Sequence, residues 1–245
     1  MKEVTAVINF HKEGLIAHAS ILSYIKNVNY ALDNGVKIYK YAILDSPDEE
    51  TLSIVDDMRL HFDKIEVVNY KDLGASKNHA VNFAKSEFIS FFDGDDLWGK
   101  SWLFKAAENI ENLDTVLHPE LVYYFDERDF NNTSLNDQPR QGCNSFMMIH
   151  IDSKYIPKNV LYFNNVYTSN IFTSVKLLKK YPFLIVNKTK SHGVEDWTWN
   201  ALTVENKIEH KIVSNSVHLV RVKTSNSLGA LNSESGLLPP LYEIL

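Results

Sequence analysis

The chain has 245 residues, 44% hydrophobic and 12% aromatic, which suits one large globular domain and excludes intrinsic disorder. A formal net charge of −6 implies no general polyanion-binding surface, so nucleic acid is not an expected partner. The single cysteine, Cys143, excludes an internal disulfide framework and a multi-cysteine zinc site, and points to a reducing compartment. No apolar run approaches the roughly 18–20 residues that span a bilayer. The N-terminus lacks the n-region and h-region of a secretory signal.

Val4 to Phe10 is a short apolar run that suits a buried parallel strand. Leu15, Ala19, Leu22, Ile25, Val28 and Leu32 follow at helical spacing and stop at Asn34-Gly35. Lys37 to Leu44 reads as a second strand, Leu52 to Arg59 as a helix, and Lys64 to Asn69 as a third strand. Gly74 to Ala84 is a helix, Glu87 to Phe92 a fourth strand, and Lys100 to Asn112 another helix. This β-α-β order predicts a mostly parallel sheet with helices on both faces and a ligand crevice at the carboxyl ends of its strands. Asn9-Phe10-His11, Asp45, Asn69 and Asp93-Gly94-Asp95-Asp96 are the polar tips expected to face it.

The second half is less regular. Thr115 to Phe125 and Ser145 to Asp152 are expected as longer antiparallel strands, separated by a polar loop from Asp126 to Gly142. Ser169 to Val175 reads as a strand, Lys176 to Lys180 and Glu195 to Glu205 as helices, and His210 to Val222 as a last strand. The chain is therefore read as one α/β domain. Residues 1–112 form a regular α/β half, 113–228 an irregular and partly antiparallel half, and 229–245 a patternless tail at a fragment boundary.

Three constellations carry chemistry. In Asp93-Gly94-Asp95-Asp96, three carboxylates repel one another unless a cation or solvent relieves them. They suit hard-oxygen ligation of Mg²⁺ or Mn²⁺ bridging to phosphates, or a solvated turn capping the next helix. Gly94 to Ser101 also matches the phosphate-loop pattern, although Asp95, Asp96, Leu97 and Trp98 bring charge and bulk where a polyphosphate would sit. Lys77 lies in the first turn of a helix opened by Gly74, a basic site near a helix N-terminus or simply a solvated lysine. Glu195-Asp196 opens a helix, either as a general base or as acids favoured by the helix dipole.

Taken in order, these segments resemble family 2 of the inverting glycosyltransferases, with the GT-A fold. The resemblance runs from Val7-Ile8-Asn9-Phe10-His11 and Ile43-Leu44-Asp45-Ser46 through the stretch from Gly74 to Asp96 to the Glu195-Asp196 pair. It implies a metal-dependent transfer of a sugar from a nucleoside-diphosphate donor, UDP first among the nucleotides, to a glycan or lipid-linked glycan acceptor, with residues 1–112 as the nucleotide-binding half and 113–228 as the acceptor-side half. Asp196 would be the general base, with Glu195 positioning acceptor or donor. Asn9, His11, Asp45, Lys77, Asp93, Asp96, Arg221 and Lys223 would bind the nucleotide sugar. Asp95, with His218, would hold Mn²⁺ or Mg²⁺. Lys77 stands where the family usually has arginine, and Ser46-Pro47 replaces its usual second aspartate and glycine. The family's habit implies a cytoplasmic enzyme of surface-glycan assembly such as lipopolysaccharide or capsule, soluble, peripheral to the inner face of the membrane, or part of a longer chain. A phosphate-loop kinase or NTPase using Lys100 and Ser101, and a non-catalytic glycan-binding module stacking sugars on its tryptophans, are the competing readings.

Overall fold

Alternation along the first strands builds the core. In β1 (Glu3–Phe10), Val4, Ala6, Ile8 and Phe10 face one apolar cluster while Val7 faces another. In β2 (Lys37–Asp45), Ile38, Ala42 and Leu44 face the first cluster, and Tyr41 and Ile43 the second. In β4 (Phe88–Asp93), Phe88 and Phe92 oppose Ile89 and Phe91 in the same way. Strands apolar on both sides need a layer over each face, which is why their sequence reads as continuous hydrophobic runs. The helices α1 (Ile16–Asp33), α2 (Glu49–Asp57) and α4 (Trp102–Asn109) cover the first face; α3 (Leu73–Phe83), α5 (Val175–Lys180) and α6 (Glu195–Glu205) cover the second.

The computed structural model describes residues 2–126, 146–223 and 234–244. The other strands are β3 (Lys64–Val68), β5 (Leu97–Trp98), β6 (Thr115–Asp126), β7 (Phe146–Ile149), β8 (Phe172–Ser174) and β9 (Glu209–Val222). Among these residues one sheet runs in the order β3-β2-β1-β4-β8-β6-β9-β5, with β7 beside β6. The pairs β1–β2, β1–β4 and β2–β3 are parallel, as the β-α-β order predicts. The class is α/β with a mostly parallel, GT-A-like sheet. β8 runs antiparallel to both β4 and β6 and carries the sheet into the second half.

The antiparallel pairing expected of the two long strands of the second half is found between β6 and β7, and the structure adds three features the sequence did not indicate. β6 is antiparallel to β7 but parallel to β9, its most extensive partner, across an irregularity between Pro119 and Leu121. The short strand β5 pairs with His218 and Leu219, a join that two residues of sequence do not announce. The tail is also built into the fold: Leu237 is buried, Gly193 N–H donates to Leu238 O at 3.0 Å, and Tyr242 of α7 (Leu241–Ile244) meets His192 Nε2 at 2.8 Å. The loop expected from Asp126 to Gly142 lies, beyond Asp126, outside the described residues.

Behind the second half sits a stack of buried imidazoles. His118 Nε2 shares a hydrogen bond with His210 Nδ1 at 2.9 Å, and Tyr167 stacks on His118 with centroids 4.2 Å apart. His150 Nδ1 donates to Pro119 O at 2.7 Å. Burial holds all three histidines neutral, pushing His150 down to about 4, His210 to about 3 and His118 well below the ordinary imidazole value.

Candidate active site

The strand tips converge as the topology requires. Asn9 pairs in register with Asp93, and Gly94 N–H donates to Asn9 O at 2.7 Å. A Cβ on Gly94 would come within 2.6 Å of that same oxygen, so only glycine lets the acidic turn pack against β1. Asn9 is 5% exposed, and neither atom of its amide finds a hydrogen-bond partner among the described residues. Buried amides are seldom left so, which makes Asn9 a candidate for contact with a ligand or ordered water. His11 is exposed, with Nδ1 against Asp45 O.

The three carboxylates of the turn have separate fates. Asp93 accepts from Ser169 Oγ. Asp96 is buried, its Oδ2 2.8 Å from His218 Nε2 and its Oδ1 accepting from Arg221 N–H at 2.8 Å. Burial and the neighbouring Asp95 push Asp96 up to about 6, against the opposing pull of His218. Asp95 stays half-buried, with Oδ2 2.6 Å from Lys223 Nζ and its backbone oxygen accepting from Arg221 Nε at 2.8 Å. β9 thus holds the acidic turn through His218 and Arg221, with Lys223 just beyond its end. His218, expected as a metal ligand, is instead engaged on Asp96 and, through Nδ1, on Thr168 Oγ1 at 3.3 Å.

Asp45 is saturated from within. Its oxygens accept from Lys71 N–H, Asp72 N–H, Ser76 Oγ and Ser46 Oγ at 2.8 to 3.1 Å. Burial raises its value, but these donors outweigh burial and hold the carboxyl below the usual range. Ser46 and Lys71 both adopt positive φ around it (53° each), strain that the anchored carboxylate stabilises.

On the opposite wall, Val194 precedes α6 at φ 57°, a left-handed conformation that is costly for a β-branched residue. It aims Glu195 inward. Glu195 Oε1 accepts from Lys77 Nζ at 3.0 Å, and the lysine is fully buried, with Nζ 5.2 Å from the centre of the Phe183 ring. Burial alone would lower Lys77, yet Glu195, Asp93 and Asp196 together hold it above its ordinary value. Lys77 was expected at a phosphate; its ammonium is committed to Glu195. Half-buried Asp196 accepts from Asn165 Nδ2 at 2.9 Å and from Trp197 N–H at 2.8 Å. Crowding by protein and the adjacent Glu195 push Asp196 up to about 7, with Lys77 opposing.

The two walls lie within electrostatic reach of each other. Asp93 acts electrostatically on both Lys77 and Asp196, and the Tyr124 phenol, raised first by burial, is raised further by Asp96 and Asp196. Asn165, Ser169, Tyr124 and Glu13 therefore belong to the site, and the sequence signals none of them. Each is a common residue in an irregular segment or on a strand, placed only by long-range folding. Glu13, in the turn after β1, is pushed up to about 7 by burial and by Asp95, against Lys223.

The phosphate-loop reading is overturned. Leu97 and Trp98 form β5, Gly99 N–H donates to Val217 O at 3.0 Å, and Lys100 Nζ lies 5.4 Å from the centre of the Tyr30 ring. With Gly94, Asp96, Trp98 and Gly99 N–H groups already donating within the fold, the segment does not offer the run of free N–H groups that wraps a polyphosphate. Trp98, Trp102 and Trp199 are core residues, and half-buried Trp197 donates Nε1 to Leu161 O at 2.6 Å.

A model of the family described as "Glycosyl transferase family 2" matches residues 10–176. The chain belongs to glycosyl transferase family 2. Its fold is similar to that of TarS residues 1–349 from S. aureus in complex with UDP-GlcNAc, with a TM-score of 0.59 at 17% identity over 100% of this chain and 64% of that one. It is also similar to the mannosyltransferase PcManGT from Pyrobaculum calidifontis in complex with GDP-Man and Mn²⁺, with a TM-score of 0.58 at 11% identity over 88% and 56% of the two chains. The chain thus spans about three-fifths of the length of these solved chains. No curated protein sequence matches it.

Proposed function

We propose that this glycosyltransferase moves a hexosyl or N-acetylhexosaminyl group, with inversion, from a nucleoside-diphosphate donor, UDP foremost, to a hydroxyl of a glycan or lipid-linked glycan. The observation that carries the reading is Asp196. It is a partly accessible carboxylate at a helix N-terminus, oriented by Asn165 and facing the acidic turn at the strand tips, with its value brought up to about 7. A base so placed is about half ionised at neutral pH and still basic enough to take a hydroxyl proton.

Asp196 takes the acceptor proton as the oxygen attacks the anomeric carbon from the face opposite the nucleotide, and the bond to the departing diphosphate breaks. Lys77 and Glu195 hold α6 against α3, so the base keeps its position relative to the strand tips. Asn9 and Asp93 offer an amide and a carboxylate to the nucleoside, and Lys223 and Arg221 lie where negative charge grows on the leaving diphosphate. The residues fit a divalent cation of the kind that takes one or two carboxylates and completes its shell with phosphate oxygens and water. Asp95 would hold it, since Asp96 and His218 are spent on each other. Among the described residues no group of three or more His, Cys, Asp or Glu side chains could cage a metal without substrate. Bound there, the ion would act as a Lewis acid on the diphosphate.

The test is Asp196→Asn, assayed against a panel of UDP- and GDP-sugars with calorimetric titration of the nucleotides alongside. Turnover should fall by about 10²–10⁴-fold with nucleotide affinity unchanged. A parallel fall in affinity would make Asp196 a structural cap instead. For location, no helix among the described residues is long and apolar enough to cross a membrane. A site of action at the cytoplasmic face, on a lipid-borne acceptor, fits the family's habit.

A further inference from the structure

The carboxylates of the acidic turn differ in what already occupies them. Asp93 is tied to Ser169, and Asp96 to His218 and the Arg221 backbone, all of them fixed points of the sheet or its neighbours. Asp95 meets a different kind of partner, the end of a flexible side chain. Lys223 Nζ lies 2.6 Å from Asp95 Oδ2, and the two side chains keep 14% and 23% of their surface exposed. Glu13, from the turn after β1, faces the same pair, repelled by Asp95 and attracted by Lys223. The Lys223 ammonium is thus paired with Asp95, the group read above as the metal-contacting ligand, with Glu13 within electrostatic reach of both.

We propose that Lys223 is a resident cation at Asp95 and that a divalent ion engages this carboxylate only by displacing the Lys223 ammonium. The proposal rests on the reading of Asp95 as the metal-contacting carboxylate. Lysine suits the part because it is a compact charge on a four-carbon stem that can swing without disturbing the backbone. With the lysine in place, the Asp95 charge is neutralised without metal, so the free enzyme has little need of a divalent ion. A diphosphate changes the balance twice over: its oxygens complete the metal's shell, and its charge gives the released ammonium a new partner. Metal and nucleotide then bind with positive coupling, because each removes part of the cost of the other's binding.

The experiment is a titration with Mn²⁺ alone, in which the EPR signal of the free ion reports binding without any turnover. It compares the wild-type chain with Lys223→Gln, Lys223→Met, Lys223→Arg and Asp95→Asn, each checked for folding by its urea midpoint. Loss of a partly buried competitor should tighten the Mn²⁺ dissociation constant about five- to tenfold in the Gln and Met variants. The Arg variant should stay near wild type, and Asp95→Asn should abolish binding. Adding UDP should narrow the gap between wild type and Lys223→Gln. If Lys223→Gln and Lys223→Met bind Mn²⁺ no more tightly than wild type while Asp95→Asn still abolishes binding, the lysine is no competitor and the metal reading survives. If Asp95→Asn leaves Mn²⁺ binding intact, both fall.

Discussion

As the proposed general base, Asp196 must be charged to accept a proton, yet it sits where charge is disfavoured, and the neighbouring Lys77–Glu195 pair sets the compromise. Because its value in the free chain lies near 7, kcat/KM should rise with pH through about 7 and level off above it, the protonated base being inactive. Lys77 opposes the upward shift, so Lys77→Met should move that limb to higher pH, while Lys77→Arg should leave it near the wild-type position. An unmoved limb in Lys77→Met would mean that the buried ammonium does not act on the base. Of this arrangement the sequence showed the acidic pair at a helix start and a lysine near another. It did not show that the two meet, because Lys77 and Glu195 lie far apart along the chain and a buried lysine looks like a solvated one until its partner is placed. Asn165 and Ser169 were invisible for the same reason: nothing in an irregular segment indicates which carboxylate a side chain will reach.

The strand-to-helix junctions carry the site, and Asp45 shows how one is held. Its carboxylate gathers the turn between β3 and α3 by accepting from two backbone N–H groups and Ser76, while Ser46 closes the other side. Asp45→Ala leaves the buried Ser76 hydroxyl and the partly buried backbone donors without their acceptor and should cost about 1–3 kcal/mol, lowering the urea midpoint and nucleotide affinity together. Loss of affinity at an unchanged midpoint would place Asp45 on the nucleotide base instead. Elements of this first half were legible because each strand is an apolar run between helices of clear period, with breaks such as Asn34-Gly35 between them. The second half was less so. β5 is too short to leave a pattern, and whether β6 runs parallel or antiparallel to its neighbour depends on β9, which no local signal connects to it.

Across the whole molecule two sets of buried groups pull stability in opposite directions with pH. The neutral histidines His118, His150 and His210 have folded values below the ordinary 6.5. The unfolded chain therefore takes up their protons first, and the stability they leave intact above 6.5 is lost as pH falls toward 4. Glu13, Asp96 and Asp196 have folded values raised to about 6 or 7. Ionised, they cost stability at high pH, and the cost is relieved as pH falls from 7 toward 4, because the native state binds those protons before the unfolded chain does. The two sets offset each other, so stability should change little between pH 7 and 5. Asp196→Asn removes one member of the offset. Urea midpoints should show it more stable than wild type at pH 8, and losing stability on acidification more steeply by up to about 1.4 kcal/mol per pH unit. Parallel pH curves for the two chains would contradict this account.

The parallel pairing of β6 with β9 has a consequence in time. The pairs β1–β2 and β2–β3 join segments close in sequence, but the strand bearing His218 and Arg221, with Lys223 just past its end, must return across the length of the second half to find β6. Closing so long a loop is slow and comes late in folding. A chain emerging from the ribosome thus presents its acidic turn long before the clamp that holds Asp95 and Asp96 exists. Its carboxylates spend that interval mutually repelled and open to water, and the donor cleft comes into being only when the last long strand docks.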